Sequence, residues 1–260
     1  MNIAMLSYHT CPLAILGGKN TGGMNVYVRE LTRYLGMQDV HVDVFTRSEN
    51  DHVPHVLHDL GCGNRVVHIP AGPEFSLPKP ELTGYIQDFA NLISEFSKVK
   101  EIHYDLIHAH YWMSGIAALM LREKWNVPIL QMFHTLGLVK KEIARSPDEL
   151  EGDYRFVGEN QVVQNVDRIV AATQSEVSQL KNFYEADESR IEVLPPGVNT
   201  DRFYPIPMDE AKEVVGIPKE DRMILFVGRI EPLKGIDTLI EAMAMLKIKC
   251  KKCPHYLVII

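Results

Sequence analysis

Short apolar runs alternate along this chain with longer stretches in which apolar residues recur every three or four positions. The runs predict strands over Ile3–Ser7, Val40–Thr46, Val66–Ile69, Leu106–Ala109, Ile129–Phe133, Ile169–Ala172 and Ile191–Leu194. The intervening stretches predict helices over Met24–Leu35, Glu81–Val99, Trp112–Glu123, Arg155–Val166 and Ser175–Tyr184, the first with Met24, Val28, Leu31 and Leu35 on one face. Strand after helix after strand is the pattern of an α/β fold, a doubly wound, Rossmann-like parallel sheet covered on both faces.

The rhythm breaks at Pro195-Pro196-Gly197-Val198-Asn199-Thr200-Asp201-Arg202-Phe203-Tyr204-Pro205, where rigid prolines flank a turn. A linker there divides the chain into domains 1–196 and 197–260. Beyond it the pattern predicts a helix at Glu210–Val215, a strand at Met223–Val227, a helix at Thr238–Leu246 and a strand at Tyr256–Ile260, one β-α-β portion of a second Rossmann-like domain. Two strands and a helix cannot cover their own sheet, so the second domain is expected to be incomplete and the chain a fragment of a two-domain protein.

Charge and composition narrow the function. With 27 basic against 34 acidic residues, the formal charge of −7 argues against nucleic acid or an anionic membrane as the main partner. The chain starts on the strand-like Asn2-Ile3-Ala4-Met5-Leu6 with no cationic leader, and no apolar run approaches bilayer length, so a cytoplasmic protein without a transmembrane segment is expected. Four cysteines are too few and too scattered for a disulfide framework. Cys250-Lys251-Lys252-Cys253 has the spacing of half a zinc site, but no second pair follows, and it reads as a surface loop. His108 and His110 share a strand face without a third ligand in the pattern, so no metal site is expected. The pattern leaves the oligomeric state open.

Candidate chemistry gathers at predicted strand ends. Phe226-Val227-Gly228-Arg229-Ile230-Glu231-Pro232-Leu233-Lys234-Gly235 sets two cations five positions apart between a strand and a helix start, which reads as a cradle for a diphosphate leaving group. Leu16-Gly17-Gly18-Lys19-Asn20-Thr21-Gly22-Gly23 places glycines between the first strand and first helix, where backbone N–H groups can approach an anion. No G-x-G-x-x-G occurs, and the second strand ends Phe45-Thr46-Arg47 without an acid for a ribose, which disfavours a dehydrogenase. His134 falls in a loop at the sheet edge with Thr135, Gly137 and Lys140 following, and is taken as a site residue; His108 is taken as a core histidine. Lys79, Lys140, Lys141, Arg145 and Arg155 read one by one as solvated charges. If Lys79, Lys140 and Arg155 turn toward Tyr111 and Thr135, they form a pocket for a dianionic phosphate.

The ordered set Gly22-Gly23-Met24-Asn25-Val26-Tyr27, His108-Ala109-His110-Tyr111-Trp112, Phe133-His134-Thr135-Leu136-Gly137, Pro195-Pro196-Gly197-Val198-Asn199 and the Arg229/Lys234 segment resembles the retaining glycosyltransferases of family 4 over nearly the whole chain. Within the family the chain is most similar to the sucrose-phosphate synthases and the inositol-phosphate N-acetylglucosaminyltransferases, on Lys79, Tyr111, Thr135 and Arg155. The resemblance implies a GT-B architecture of two Rossmann-like domains, with the acceptor mainly on the first and the nucleotide-sugar on the second. It implies transfer of a hexose, with retention, from a UDP-sugar such as UDP-glucose or UDP-N-acetylglucosamine to a phosphorylated sugar or polyol, without a required metal. In that scheme Arg229 and Lys234 stabilise the departing diphosphate, the Gly22-Gly23 backbone contacts the donor phosphates, and His134 lies against the transferred sugar. Asn25, Lys79, Tyr111, Thr135 and Arg155 hold the acceptor. In the resemblance the family's paired-glutamate donor motif belongs to a part of the second domain absent here, so weak donor binding and little turnover are expected of these residues alone. Two other readings stand beside this one: a non-catalytic phosphosugar-binding module, and a GT-B epimerase acting on UDP-N-acetylglucosamine, which needs acidic catalytic residues and no acceptor pocket.

Overall fold

A computed structural model describes residues 1–15, 21–58, 60–144, 146, 150–228, 230, 234–250 and 255–260. The chain divides into two compact units, one of Met1–Val139 with Glu151–Pro196, the other of Lys140–Leu150 with Gly197–Ile260.

The first unit is built on eight strands: β1 (Asn2–Leu6), β2 (His41–Arg47), β3 (Val56–Leu57), β4 (Arg65–Ile69), β5 (Leu106–His110), β6 (Ile129–Met132), β7 (Arg168–Ala171) and β8 (Ile191–Val193). Their spatial order is β3-β4-β2-β1-β5-β6-β7-β8. Every adjacent pair is parallel except β3 with β4. All seven predicted strands form, shifted by a residue or two; β3 escapes prediction because two residues are too few to show a period. The helices are α1 (Gly23–Gly36), α2 (Lys79–Leu82), α3 (Ile86–Val99), α4 (Trp112–Trp125), α5 (Gly137–Ile143), of which only Gly137–Val139 belong to this unit, α6 (Asp153–Asn165) and α7 (Gln174–Tyr184).

The continuous helix expected over residues 81–99 is interrupted. A 3-10 turn at Thr83–Tyr85 separates α2 from α3, and the run Thr83-Gly84-Tyr85 consists of poor helix formers. Lys79 consequently stands on its own short helix. Helix α5 forms where a loop was expected, its first N–H held by the Glu159 carboxylate of α6.

Alternation along β1 builds the two layers. Ile3 and Met5 join Val28 of α1 with Val42, Val44, Leu60 and Val66 on one face. Ala4 and Leu6 join the larger cluster on the other, packed by α3, α4, α6 and α7. Phe89 and Ile93 of α3 are fully buried there, each stabilising the fold by about 1.5–3 kcal/mol. From β1 the sheet extends to β2 on one side and β5 on the other, so their carboxyl ends mark a topological switch point, where doubly wound sheets bind ligands.

The second unit contains α8 (Met208–Val214), β9 (Arg222–Phe226), α9 (Ile236–Lys249) and β10 (His255–Ile259). Strands β9 and β10 pair in parallel around α9, giving the expected β-α-β portion. Much of its apolar surface is exposed, including Leu225, Val227, Ile240, Met245 and Ile248. Among the described residues no helix is long and apolar enough to cross a membrane.

Candidate active site

The turn after β1 is fastened to both neighbouring layers. Ser7 Oγ donates to Thr10 O at 2.7 Å, and the Tyr8 N–H donates to Ser114 Oγ of α4 at 3.0 Å. Asn25, buried in the first turn of α1, donates from its amide to Thr10 Oγ1 and Cys11 O at 2.7 and 2.8 Å and accepts from the Gly22 N–H at 2.8 Å. Its amide is thus spent on holding the strand–helix turn. A Cβ added at Gly22 or Gly23 would meet no atom of the described residues within 4 Å, so none of them crowds this backbone. Residues 16–20 of the glycine segment lie outside the described residues.

Tyr111 directly follows β5 and caps α4 at φ 73°. Non-glycine residues with positive φ cost of order 1–3 kcal/mol and gather at functional sites; Asn126 and Glu185 have one at helix C-caps, whereas Tyr111 and His134 have theirs just beyond carboxyl ends of strands. The Tyr111 backbone is over-determined: its N–H donates to Met132 O at 2.8 Å, and its carbonyl accepts from the Gly115 N–H and Gln131 Nε2. Around its ring stand Lys79 Nζ at 5.5 Å, Arg155 Cζ at 5.2 Å and the His9 ring at 4.4 Å. Tyr111 Oη, His9 Nδ1 and Arg155 NH1 are all buried without a hydrogen-bond partner among the described residues. Burial, then the charge of Lys79, pushes the His9 pKa down to about 3, so it is neutral at physiological pH.

Arg155 is wholly buried and held from three sides. Its Nε donates to Glu159 Oε1 at 2.7 Å, four residues along α6, and its NH2 donates to Thr135 O and Oγ1 at 3.0 and 3.1 Å. Its NH1 lies 2.6 Å from Glu151 Oε1. Glu159, equally buried, also accepts from the Gly137 N–H and from the Tyr184 hydroxyl, which in turn accepts from the Leu138 N–H. A Cβ at Gly137 would come within 2.9 Å of Arg155 Nε and Glu159 Oε2, so glycine is what lets the His134 loop close on the pair.

His108, His110 and His134 form a stack with ring centroids 4.2 and 5.2 Å apart, edged by Tyr27 of α1. Parallel register puts Met5 beside His108, so this stack faces the α1 side of the sheet. His134 Nε2 and His110 Nδ1 share a hydrogen bond at 3.0 Å. Burial lowers all three pKa values, to about 4 for His108, well below the usual value for His110 and to about 3 for His134. His108 is the buried core histidine expected of it.

In the second unit, Lys234 is exposed and directly precedes Gly235, the left-handed residue (φ 64°) that caps α9. Glycine suits that conformation, which an L side chain would strain. Arg229, Arg145 and Cys253 lie outside the described residues. Lys140 belongs to the second unit. Structure therefore brings together Lys79, Tyr111, Thr135 and Arg155, with Gly22, Gly23 and Asn25 at the start of α1 and His134 at the edge of the histidine stack.

Sequence reasoning places His9 at the carboxyl edge of the sheet, after the first strand, but gives no role to Glu151, Glu159, Tyr184 or Arg47. The two glutamates were accessible, since each is four residues from Arg155, the spacing of a helical ion pair. Arg47 is fully buried and donates to Pro73 O and Phe75 O, fixing the segment that leads to Lys79. At the opposite, amino-terminal edge of the sheet a cavity of about 320 Å³ is lined in part by Asp43, Arg65 and Tyr104. Those three bond one another, which makes it a structural feature.

The cluster lies at the switch point of a doubly wound sheet, where α/β proteins of this class bind ligands. Residues 21–202 match the model of Glycosyltransferase Family 4, and residues 207–260 match that of Glycosyl transferases group 1. The chain belongs to glycosyltransferase family 4. It is 42% identical over 245 residues to D-inositol 3-phosphate glycosyltransferase 2 of Catenulispora acidiphila, covering 94% of this chain and 57% of that protein. The D-inositol 3-phosphate glycosyltransferase of a Nocardioides species is 41% identical, with 94% and 53% covered. Among solved structures, sucrose-phosphate synthase from Thermosynechococcus elongatus superposes with a TM-score of 0.86 at 29% identity, covering 99% of this chain and 61% of that one. The fold is GT-B-like, and the chain spans a little over half the length of these relatives.

Proposed function

We propose that this protein transfers a hexose, with retention, from a UDP-sugar to a phosphorylated polyol or sugar. Residues 1–196 form the acceptor domain in this reading, and residues 197–260 belong to the nucleotide-sugar domain. The observation that carries it is the grouping around Tyr111: two cations on its ring and three buried polar atoms with no hydrogen-bond partner among the described residues. A dianionic phosphate supplies the acceptor oxygens such a group requires. Lys79, Tyr111, Thr135 and Arg155 hold that phosphate, and Asn25 acts by fixing the turn that presents Gly22 and Gly23 to the donor phosphates. Arg229 and Lys234 stabilise the departing diphosphate. His134, neutral at physiological pH, lies against the transferred sugar as a hydrogen-bonding group; an imidazolium acid is not available there.

Calorimetric titration of the 260-residue chain tests the acceptor reading. Inositol phosphate binds at least about tenfold more tightly than inositol, the value of one charge-assisted hydrogen bond. Replacing Lys79 by alanine removes that preference while the melting temperature stays within a few degrees. Lys79 is the cleaner probe than Arg155, whose removal would also leave Glu159 buried without its partner. Equal affinity for the two ligands would overturn the assignment.

The glycine reading has its own test. Gly22→Ala adds a methyl that meets no atom of the described residues within 4 Å, on an extended backbone, so the fold is expected to persist. Affinity for UDP, followed by phosphorus NMR, falls by about tenfold if the backbone there approaches phosphate. Unchanged UDP affinity would show that the glycine serves no donor contact.

A further inference from the structure

The three contacts of Arg155 are not alike. Nε and NH2 make aligned hydrogen bonds to Glu159 and Thr135, and Glu159 is sealed from solvent. NH1 meets Glu151 as an ion pair at 2.6 Å, yet its hydrogens find no acceptor in hydrogen-bond geometry. The Glu151 side chain is 21% exposed, sits just before the first turn of α6, and is close enough to raise the pKa values of His9 and Tyr111. Arg155 thus has one fixed counter-ion and one at the surface, and the second stands at the same group that contains Lys79 and Tyr111.

We infer that Glu151 is an exchangeable internal anion, displaced from Arg155 NH1 by the phosphate of the acceptor, and that it thereby sets which acceptors bind. The inference rests on the acceptor reading above. A monoanion that displaces a carboxylate replaces one negative charge with one, and gains little. A dianion brings an extra charge and a third oxygen, enough to align with NH1 and reach toward Lys79 and Tyr111. A neutral hydroxyl has nothing with which to break the ion pair. Glu151 therefore lowers affinity for all anions and favours dianions over monoanions. A merely structural residue would do neither.

The test compares the 260-residue chain with its Glu151→Gln and Glu151→Asp variants, titrated with inorganic phosphate at about pH 8 and, in competition, with nitrate. Glu151→Gln binds phosphate about tenfold more tightly than the parent, and nitrate now competes. Glu151→Asp, which keeps the charge but falls short of NH1, lies between the two and reads the same effect if the glutamine variant does not fold. Phosphate binding that is equal or weaker in both variants while the parent binds it overturns the role of Glu151 and leaves the acceptor pocket standing. Failure of parent and variants alike to bind phosphate removes the pocket, and this inference with it.

Discussion

Replacing Glu159 by glutamine lowers the stability of the first unit by about 3–5 kcal/mol, the cost of breaking a buried ion pair from one side. The carboxylate has three donors around it: Arg155 Nε, the Gly137 N–H and the Tyr184 hydroxyl. Glutamine has the same shape but no charge and only one acceptor oxygen, so it no longer neutralises Arg155 and the Tyr184 hydroxyl must reverse to accept from its NH2. Arg155 meanwhile keeps a full charge inside the protein, with burial working against it and Glu151 as its nearest remaining carboxylate. Two further consequences follow from the same geometry. The start of α5 loses the acceptor for its first N–H, and the loop carrying His134 and Thr135 loses its anchor on α6. Urea unfolding of the 260-residue chain and the variant measures the effect, and phosphate binding should disappear with it. A loss below about 1 kcal/mol would place Glu159 among ordinary surface ion pairs.

Acid destabilises the first unit well above the pH at which its carboxylates protonate. His9 and His134 have pKa values lowered to about 3, His108 to about 4, and His110 well below the usual value, in each case mainly by burial. In the unfolded chain these groups return to about 6.5. Between that value and the lowered ones the unfolded state binds more protons than the folded state, so stability is complete above about pH 6.5 and is lost as pH falls toward 3–4. At pH 5 a single such histidine costs about 2 kcal/mol, from about 1.5 units at 1.36 kcal/mol each. Three of the four are stacked together, and their contributions are not additive. Several kcal/mol is nonetheless a large part of a domain's stability. Melting temperatures at pH 7.5 and pH 5 therefore differ by many degrees, and a flat profile over that range would mean that the histidines are solvated.

Hydrophobic period carried most of the fold into view. Seven of the eight strands in the large sheet and the β-α-β portion of the second unit are visible as runs and repeats, because burial on both faces of a parallel sheet demands apolar residues at those positions. What the period could not show was β3, only two residues long, and the start of α5, which depends on a carboxylate 22 positions away. The break between α2 and α3 was visible in principle in Thr83-Gly84-Tyr85. Amphipathic spacing on either side concealed it.

For the site, sequence by itself determined which residue types reach the carboxyl edge of the sheet, because strand ends and glycine turns are written locally. Lys79, Tyr111, Thr135 and Arg155 were named from the sequence and its resemblance to the family, and the family match itself extends over residues 21–202. Only the tertiary structure decided how each one is engaged. It turned Asn25 inward onto its own turn, set Arg155 between the sealed Glu159 and the partly exposed Glu151, gathered three neutral histidines side by side, and set His9 against Tyr111. The reason is physical: a motif specifies chemistry residue by residue, whereas burial, charge compensation and unspent hydrogen bonds belong to groups that meet only when distant segments pack together.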